Sequence, residues 1–304
     1  VAIVACMRSV LRALFALVLA IGLGLCALAV SAGTLVGAAA LRSQHSRLAP
    51  ELASNAFGEP LVIASQEAEG RIEGHAWGVL DQPFARLEAA LSDPGQWCEV
   101  LMLHLNNKYC RLEGQGPAPR IELRVGRKHE QAIHSASALQ FTWQASAVRD
   151  DYLGVQMSAP EGPYDTTDYR LVVEAIPLGD GRSFVHMGYA FQYGGSSRMA
   201  MRLYLATIGR DKVGFTIAEA AAPGREPLYV GGLRGVVERN VMRYFLAIRS
   251  YLGATSLPPA QRLEARLQSW FDSTDRYPRQ LHEVERDEYL AMKRNEYRRL
   301  GANR

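Results

Sequence analysis

Between residues 121 and 175 the chain alternates apolar and polar side chains with a period of two, and between 233 and 251 it changes to a helical period. The first pattern predicts half-buried strands, because successive strand side chains point to opposite faces. Ile121, Leu123 and Val125 alternate with Glu122 and Arg124, and Leu139, Phe141, Trp143 and Ala145 with Gln140, Thr142 and Gln144. Leu153, Val155 and Met157, then Tyr169, Leu171, Val173 and Ala175, continue the series. Gly179-Asp180-Gly181 is a hairpin signal leading into SFVHMGYAFQY. Met199, Met201, Leu203 and Leu205 predict one more strand face, and Val213, Phe215 and Ile217 another. Strands joined in sequence by short turns predict an antiparallel meander.

A meander with one apolar face needs a cover. The stretch from Leu228 to Leu252 supplies it as one long helix, with Gly231 and Gly232 at its start and Gly253 at its end. At about 100° per residue, Leu233, Val237, Asn240, Val241, Tyr244, Ala247, Ile248 and Tyr251 share a face. Asn240 interrupts that stripe, and a buried amide needs a hydrogen-bond partner. Arg234, Arg239 and Arg243 read as a solvated face, with reception of an anionic head group as the functional alternative. Glu238, four residues from Arg234, reads as its surface ion-pair partner.

Ahead of the meander, Ile72, Gly74, Ala76, Gly78 and Leu80 alternate with Glu73, His75, Trp77 and Val79. This predicts a strand whose small-residue face is closely approached by another element. Asp81-Gln82-Pro83-Phe84 and Ser92-Asp93-Pro94 each open a short helix, and a short strand follows around Lys108–Leu112. Residues 42–66, with Pro50, Gly58 and Pro60, read as a linker with one short helix near Leu52. Beyond Pro258-Pro259 a charged tail carries Leu263, Leu267, Trp270, Phe271, Leu281, Val284 and Leu290 as an apolar stripe, broken at Tyr277-Pro278. That tail packs on the domain or binds a protein partner through residues 260–304.

This order of elements, with D-x-P-F-x-x-L-x-x-x-L-x-D-P-x-x-W at Asp81, Pro83, Phe84, Leu87, Leu91, Asp93, Pro94 and Trp97, resembles the START-like superfamily, also called SRPBCC or polyketide-cyclase-like. The resemblance spans roughly residues 67–252. It implies an α+β helix-grip fold, a curved meander wrapped around a long C-terminal helix. A cavity between sheet and helix would hold a lipid, sterol or polyketide-like molecule. The superfamily has no shared catalytic motif, so no catalytic residue is carried over. The organisation read from the chain is a leader at 1–41, a linker at 42–66, the domain at 67–253 and the tail at 254–304.

Composition adds compartment more than chemistry. The net charge of +3 on 304 residues, without a block of like charges, gives no reason to expect nucleic acid as a partner. Arg8 and Arg12 precede an uncharged run from Ala13 to Leu41, which predicts export, with Met7 opening the charged region. The run reaches the roughly 20 residues of a membrane span, while Val30-Ser31-Ala32 and Ala38-Ala39-Ala40 offer cleavage sites. Anchor and cleaved leader both stand. Either places the domain on the periplasmic side, where Cys98 and Cys110 are expected to form a disulfide worth roughly 3 kcal/mol.

Phe141, Trp143, Met157, His186, Tyr189, Phe191, Asn240, Tyr244 and Tyr251 are the candidate lining of the cavity. His75 and His186 lack a third metal ligand at a recognisable spacing, so neither a metal nor a cofactor is expected. No nucleophile elbow precedes a helix. Hydrophobic-ligand binding is therefore the first reading, a cyclase or aromatase-type enzyme the second, and a ligand-free interaction protein the third.

Overall fold

The computed structural model describes residues 33–302 apart from 69, 115, 117, 150 and 196–211. The leader and the strand face at Met199–Leu205 therefore fall largely or wholly outside the described residues. No helix among the described residues is long and apolar enough to cross a membrane.

Helix α1 (Ala38–Ala53) comes first, then strands β1 (Leu61–Ala68) and β2 (Arg71–Leu80). Helices α2 (Phe84–Leu91) and α3 (Trp97–Leu101) follow as expected, both short. The meander is β3 (Asn107–Glu113), β4 (Arg120–Val125), β5 (Ser137–Arg149), β6 (Tyr152–Glu161), β7 (Thr166–Pro177) and β8 (Ser183–Tyr193). All eight strands form one antiparallel sheet in the order β1-β2-β8-β7-β6-β5-β4-β3. A separate two-stranded ribbon pairs β9 (Ile217–Glu219) with β10 (Leu228–Tyr229), so the strand expected from Val213 to Ile217 is cut to its last residue and leaves the main sheet. The long helix α4 runs from Gly232 to Gly253, and the tail folds as α5 (Pro259–Asp275), α6 (Pro278–Leu281) and α7 (Arg286–Ala302).

Helix α4 lies on the face of the sheet that the small residues of β2 prepare. A Cβ at Gly74 would meet Val237 at 3.2 Å, and one at Gly78 would run into the Phe245 ring. Eight helical residues span about 12 Å and four strand residues about 13 Å, so α4 and β2 run alongside each other in the same direction. Side chains at 74 and 78 would hold the two apart. This inner face carries the main core, whereas Val62, Trp77, Tyr152, Ile176 and Phe184 point outward and are covered by Leu41, Leu48 and Leu52 of α1.

Helix α1 and strand β1 replace most of the expected linker. The buried positions of α1 are Leu41, Gln44, Leu48 and Leu52, a helical spacing with an amide in one slot. That amide, together with Pro50 inside the last turns, breaks the apolar period. In β1 Leu61, Val62 and Ile63 are buried in succession because both faces of the strand are covered, which removes the alternation that would mark it.

Most of the charged flank of α4 is buried: Glu238, Arg239 and Arg243 are all closed off from solvent. Glu238 is fully buried and accepts from Ser65 Oγ (2.5 Å), Phe215 N (2.5 Å), Thr216 N (2.9 Å) and Thr216 Oγ1 (2.7 Å). Its partners are thus hydroxyls and backbone amides rather than Arg234, which donates to Ser65 Oγ. Arg239 donates to the Val213 carbonyl, and buried Arg243 pairs with Glu283 at 2.9 Å. Arg239 and Arg243 are buried against Val213 and against the tail, so these two are not available to a head group, whereas Arg234 is half-buried.

The apolar stripe of the tail is spent within the chain itself. Leu267, Trp270, Phe271, Leu281, Val284 and Leu290 all join the main core. Trp270 Nε1 donates to the Arg243 carbonyl at 3.1 Å, and Tyr289 Oη to the Leu103 carbonyl at 2.8 Å.

Candidate functional site

Strand register decides which predicted cavity residues meet. Trp143 is paired with Met157, Met157 with Leu171, and Leu171 with Tyr189, which faces Gly74 across β2. One row of inner side chains therefore crosses β5, β6, β7, β8 and β2. The neighbouring row runs through Phe141, Ala159, Tyr169 and Phe191, all buried. Helix α4 packs over the β1, β2 and β8 end of these rows.

From the rows rises a chain of rings. Phe191 stacks on Tyr169 with centroids 5.2 Å apart, Tyr169 lies 6.2 Å from Tyr189, and Tyr189 lies 5.9 Å from Tyr244 of α4. Tyr244 in turn stacks on His104 at 4.8 Å. Among the described residues Trp143 Nε1 is buried without a hydrogen bond, and His104 Nε2 has none of regular geometry, with the Asn240 amide beside the ring. Tyr169, by contrast, shares a hydrogen bond with Thr166 at 2.7 Å, and burial pushes its phenol up to about 12. Burial also holds the phenols of Tyr189 and Tyr244 above their ordinary value.

His104 owes its position to the loop between α3 and β3. Cys98 and Cys110 are disulfide-bonded across that loop, with Cα atoms 5.4 Å apart. The Lys293 ammonium of α7 donates to the His104 and Asn107 carbonyls, each at 2.8 Å, and to Glu296 at 2.8 Å. Lys108 meets the other oxygen of Glu296 at 3.1 Å. Burial outweighs Glu296 and brings Lys293 down to about 8. Burial first, then Arg243 and Lys293, holds the His104 imidazole well below its ordinary value. His104 is therefore neutral at neutral pH. Its Nδ1 accepts from Asn106 N at 3.2 Å, which assigns the ring proton to Nε2.

Of the residues singled out in the sequence, Phe141, Trp143, Met157, Tyr189, Phe191 and Tyr244 all lie in the inner core. Asn240 is half-buried beside His104. Its amide offsets a little of the lowering of that imidazole, without a hydrogen bond of regular geometry to Nε2. Tyr251 lies about 10 Å further along α4 than Tyr244, and its hydroxyl donates to Gln96 at 2.7 Å while Arg266 covers its ring. His186 belongs to the other face. Strand parity requires this: Val185, Met187, Tyr189 and Phe191 point inward, so residue 186 points out. The sequence reading omits Tyr169 and His104. Parity with Leu171 identifies Tyr169, but nothing in WCEVLMLHL marks His104.

On the outer face His186 Nδ1 meets Glu174 Oε2 at 3.0 Å, and its Nε2 meets His75 Nδ1 at 3.0 Å. Glu174 Oε1 also accepts from Tyr152 Oη (2.5 Å) and from the backbone N–H groups of Val36 (2.7 Å) and Gly37 (3.1 Å) at the head of α1. Trp77 stacks on both imidazoles. Burial raises the Glu174 pKa, but the hydrogen bond and charge of His186 and the Tyr152 hydroxyl outweigh it and hold the group below its ordinary value. Burial and then His186 drive His75 well below its own. No group of three or more potential metal ligands occurs among the described residues.

The order of elements, with sheet and terminal helix in contact, is the helix-grip arrangement. The chain is α+β. Among solved structures it is similar to a protein from Thermus thermophilus, at 12% identity over 60% of this chain and 99% of that one, with a TM-score of 0.39. It is also similar to norcoclaurine synthase from Thalictrum flavum (12% identity, 48% and 90% coverage, TM-score 0.34). An aromatase/cyclase from Streptomyces sp. R1128 matches at 11% identity, 46% and 86% coverage and a TM-score of 0.32. No family model and no curated relative matches the chain. These are similarities of outline, and the site is read from the chain's own residues.

Proposed function

We propose that the domain binds an apolar small molecule along the inner face of its sheet, beside α4. The observation that supports this is the lining: a connected chain of aromatic rings beside the buried indole N–H of Trp143, which has no hydrogen bond among the described residues. A dry core normally pairs such atoms. A pocket leaves them for a guest, as apolar sites with few polar groups do. The buried carboxylates Glu174, Glu238 and Glu296 are each taken up by other protein groups, which favours a binding role over acid–base chemistry.

The test is native mass spectrometry of the intact protein after exposure to a total lipid extract. One apolar molecule retained per chain, released by organic solvent, is expected. Failure to retain any compound from that extract or from a panel of neutral aromatic probes overturns the reading. We further propose that the domain works outside the cytoplasm, tethered or released by the segment up to residue 41. The Cys98–Cys110 bond supports this, since such bonds persist in oxidising compartments. A reporter enzyme that needs export for activity, fused after Arg304, is expected to be active; an inactive fusion contradicts it.

A further inference from the structure

The folded domain begins before helix α1. Residues 33–37 pass over the outer face of the sheet and are fitted to it at several points. A Cβ at Gly33 would run into the Arg71 guanidinium and press on the Arg170 side chain. Leu35 lies over Gly154, where a Cβ would come within 3.2 Å of it. Val36 packs on the outer cluster, and the N–H groups of Val36 and Gly37 donate to the fully buried Glu174. The Gly37 carbonyl accepts from Leu41 N and opens α1. This strap is therefore part of the fold and not of a leader that ends at residue 41.

The chain offers two places where small residues stand three and one before a cut, Val30-Ser31-Ala32 and Ala38-Ala39-Ala40. The first precedes the described residues and is read from sequence alone. The second forms the first turn of α1. A cut after Ala40 would remove the strap and with it two of the donors that hold Glu174, leaving a buried carboxylate short of partners. A cut after Ala32 spares every one of these contacts. Cleavage pattern and domain edge, read independently, coincide between residues 32 and 33.

We propose that a membrane-bound leader peptidase hydrolyses the Ala32–Gly33 bond, so that the mature protein begins at Gly33 and is released from the membrane. Water adds its hydroxyl to the Ala32 carbonyl carbon and a proton to the Gly33 nitrogen. The proton of the new acid follows, leaving a carboxylate on the leader and an ammonium on the domain. This rests on the export reading and narrows it from tethered or released to released.

The full chain, tagged after Arg304, is produced in a Gram-negative host, and the product is read by intact mass and N-terminal sequencing. The expected protein is soluble in the periplasmic fraction and starts Gly-Thr-Leu-Val-Gly. Ala32→Phe should abolish processing and leave the precursor in the membrane fraction, whereas Ala40→Phe should leave the Gly33 start unchanged. A product starting at Leu41, or an unaltered chain that keeps its leader while protease added outside the inner membrane digests the domain, overturns this proposal and leaves export standing. A leader kept on a domain that such protease cannot reach overturns both.

Discussion

The two faces of the sheet bury the same kinds of side chain and use them differently. Outside, Glu174, His186, His75 and Tyr152 satisfy one another and hold the backbone at the head of α1. Inside, Tyr189, Tyr244 and His104 form a run of rings along the core, and buried Trp143 Nε1 has no hydrogen bond among the described residues. A fully satisfied polar network rigidifies the element it holds, here the head of α1. The difference is what favours the inner face over the outer one in the proposed binding role.

That contrast breaks first at Glu174. Glu174→Ala strands an imidazole, a phenol and two backbone N–H groups in a buried site, and should cost about 3–5 kcal/mol in urea unfolding. Uptake of apolar probes by the folded fraction should persist. Loss of uptake at full stability would show that the outer network serves the inner site.

Acid strikes both faces through their histidines. His75 and His104 have pKa values pushed below the ordinary 6.5, so the unfolded chain takes up protons first. The stability present above about pH 6.5 is lost as pH falls towards their folded values, at up to about 2.7 kcal/mol per pH unit for two protons. Glu174, also lowered, adds to the loss below its ordinary 4.5. Denaturant midpoints should hold from pH 8 to about 6.5 and fall from there to pH 4, and a flat profile from 7 to 5 contradicts the burial of the two rings.

Gly78→Val sharpens the map of the inner face. A side chain there collides with Phe245, so a loss of about 1–3 kcal/mol in thermal unfolding is expected where α4 is already in contact. The smallest effect comes from a matched pair. Tyr152→Phe removes a hydroxyl bonded to Glu174 and should cost about 1.5–3 kcal/mol. Tyr189→Phe should stay within about 0.5 kcal/mol, since no protein hydrogen bond to its hydroxyl is lost.

Much of this architecture is legible in the chain. The alternation at 121–175 gives the strands, the glycines of β2 announce the approach of α4, and the expectation of export suggests the disulfide. What escapes has a physical cause in each instance. Helix α1 hides behind Gln44 and Pro50, and β1 hides because both its faces are buried. Glu238, Arg239 and Arg243 look like a surface because a charge cannot reveal that distant segments will satisfy it. Placing His186 in the cavity contradicts strand parity, which the sequence already carries. His104 is visible only once the loop that carries it is closed.

The claim that the inner face holds a guest is tested most directly by filling it. Leu171 sits in the middle of the row between Met157 and Tyr189 and is fully buried. The measurement is saturable uptake of the neutral dye N-phenyl-1-naphthylamine by the unaltered protein and by Leu171→Trp. One dye per chain in the first, and none in a variant that keeps its unfolding temperature, is the predicted result. A variant that unfolds instead, together with an unaltered protein that takes up no dye, would mean that the interior is already full.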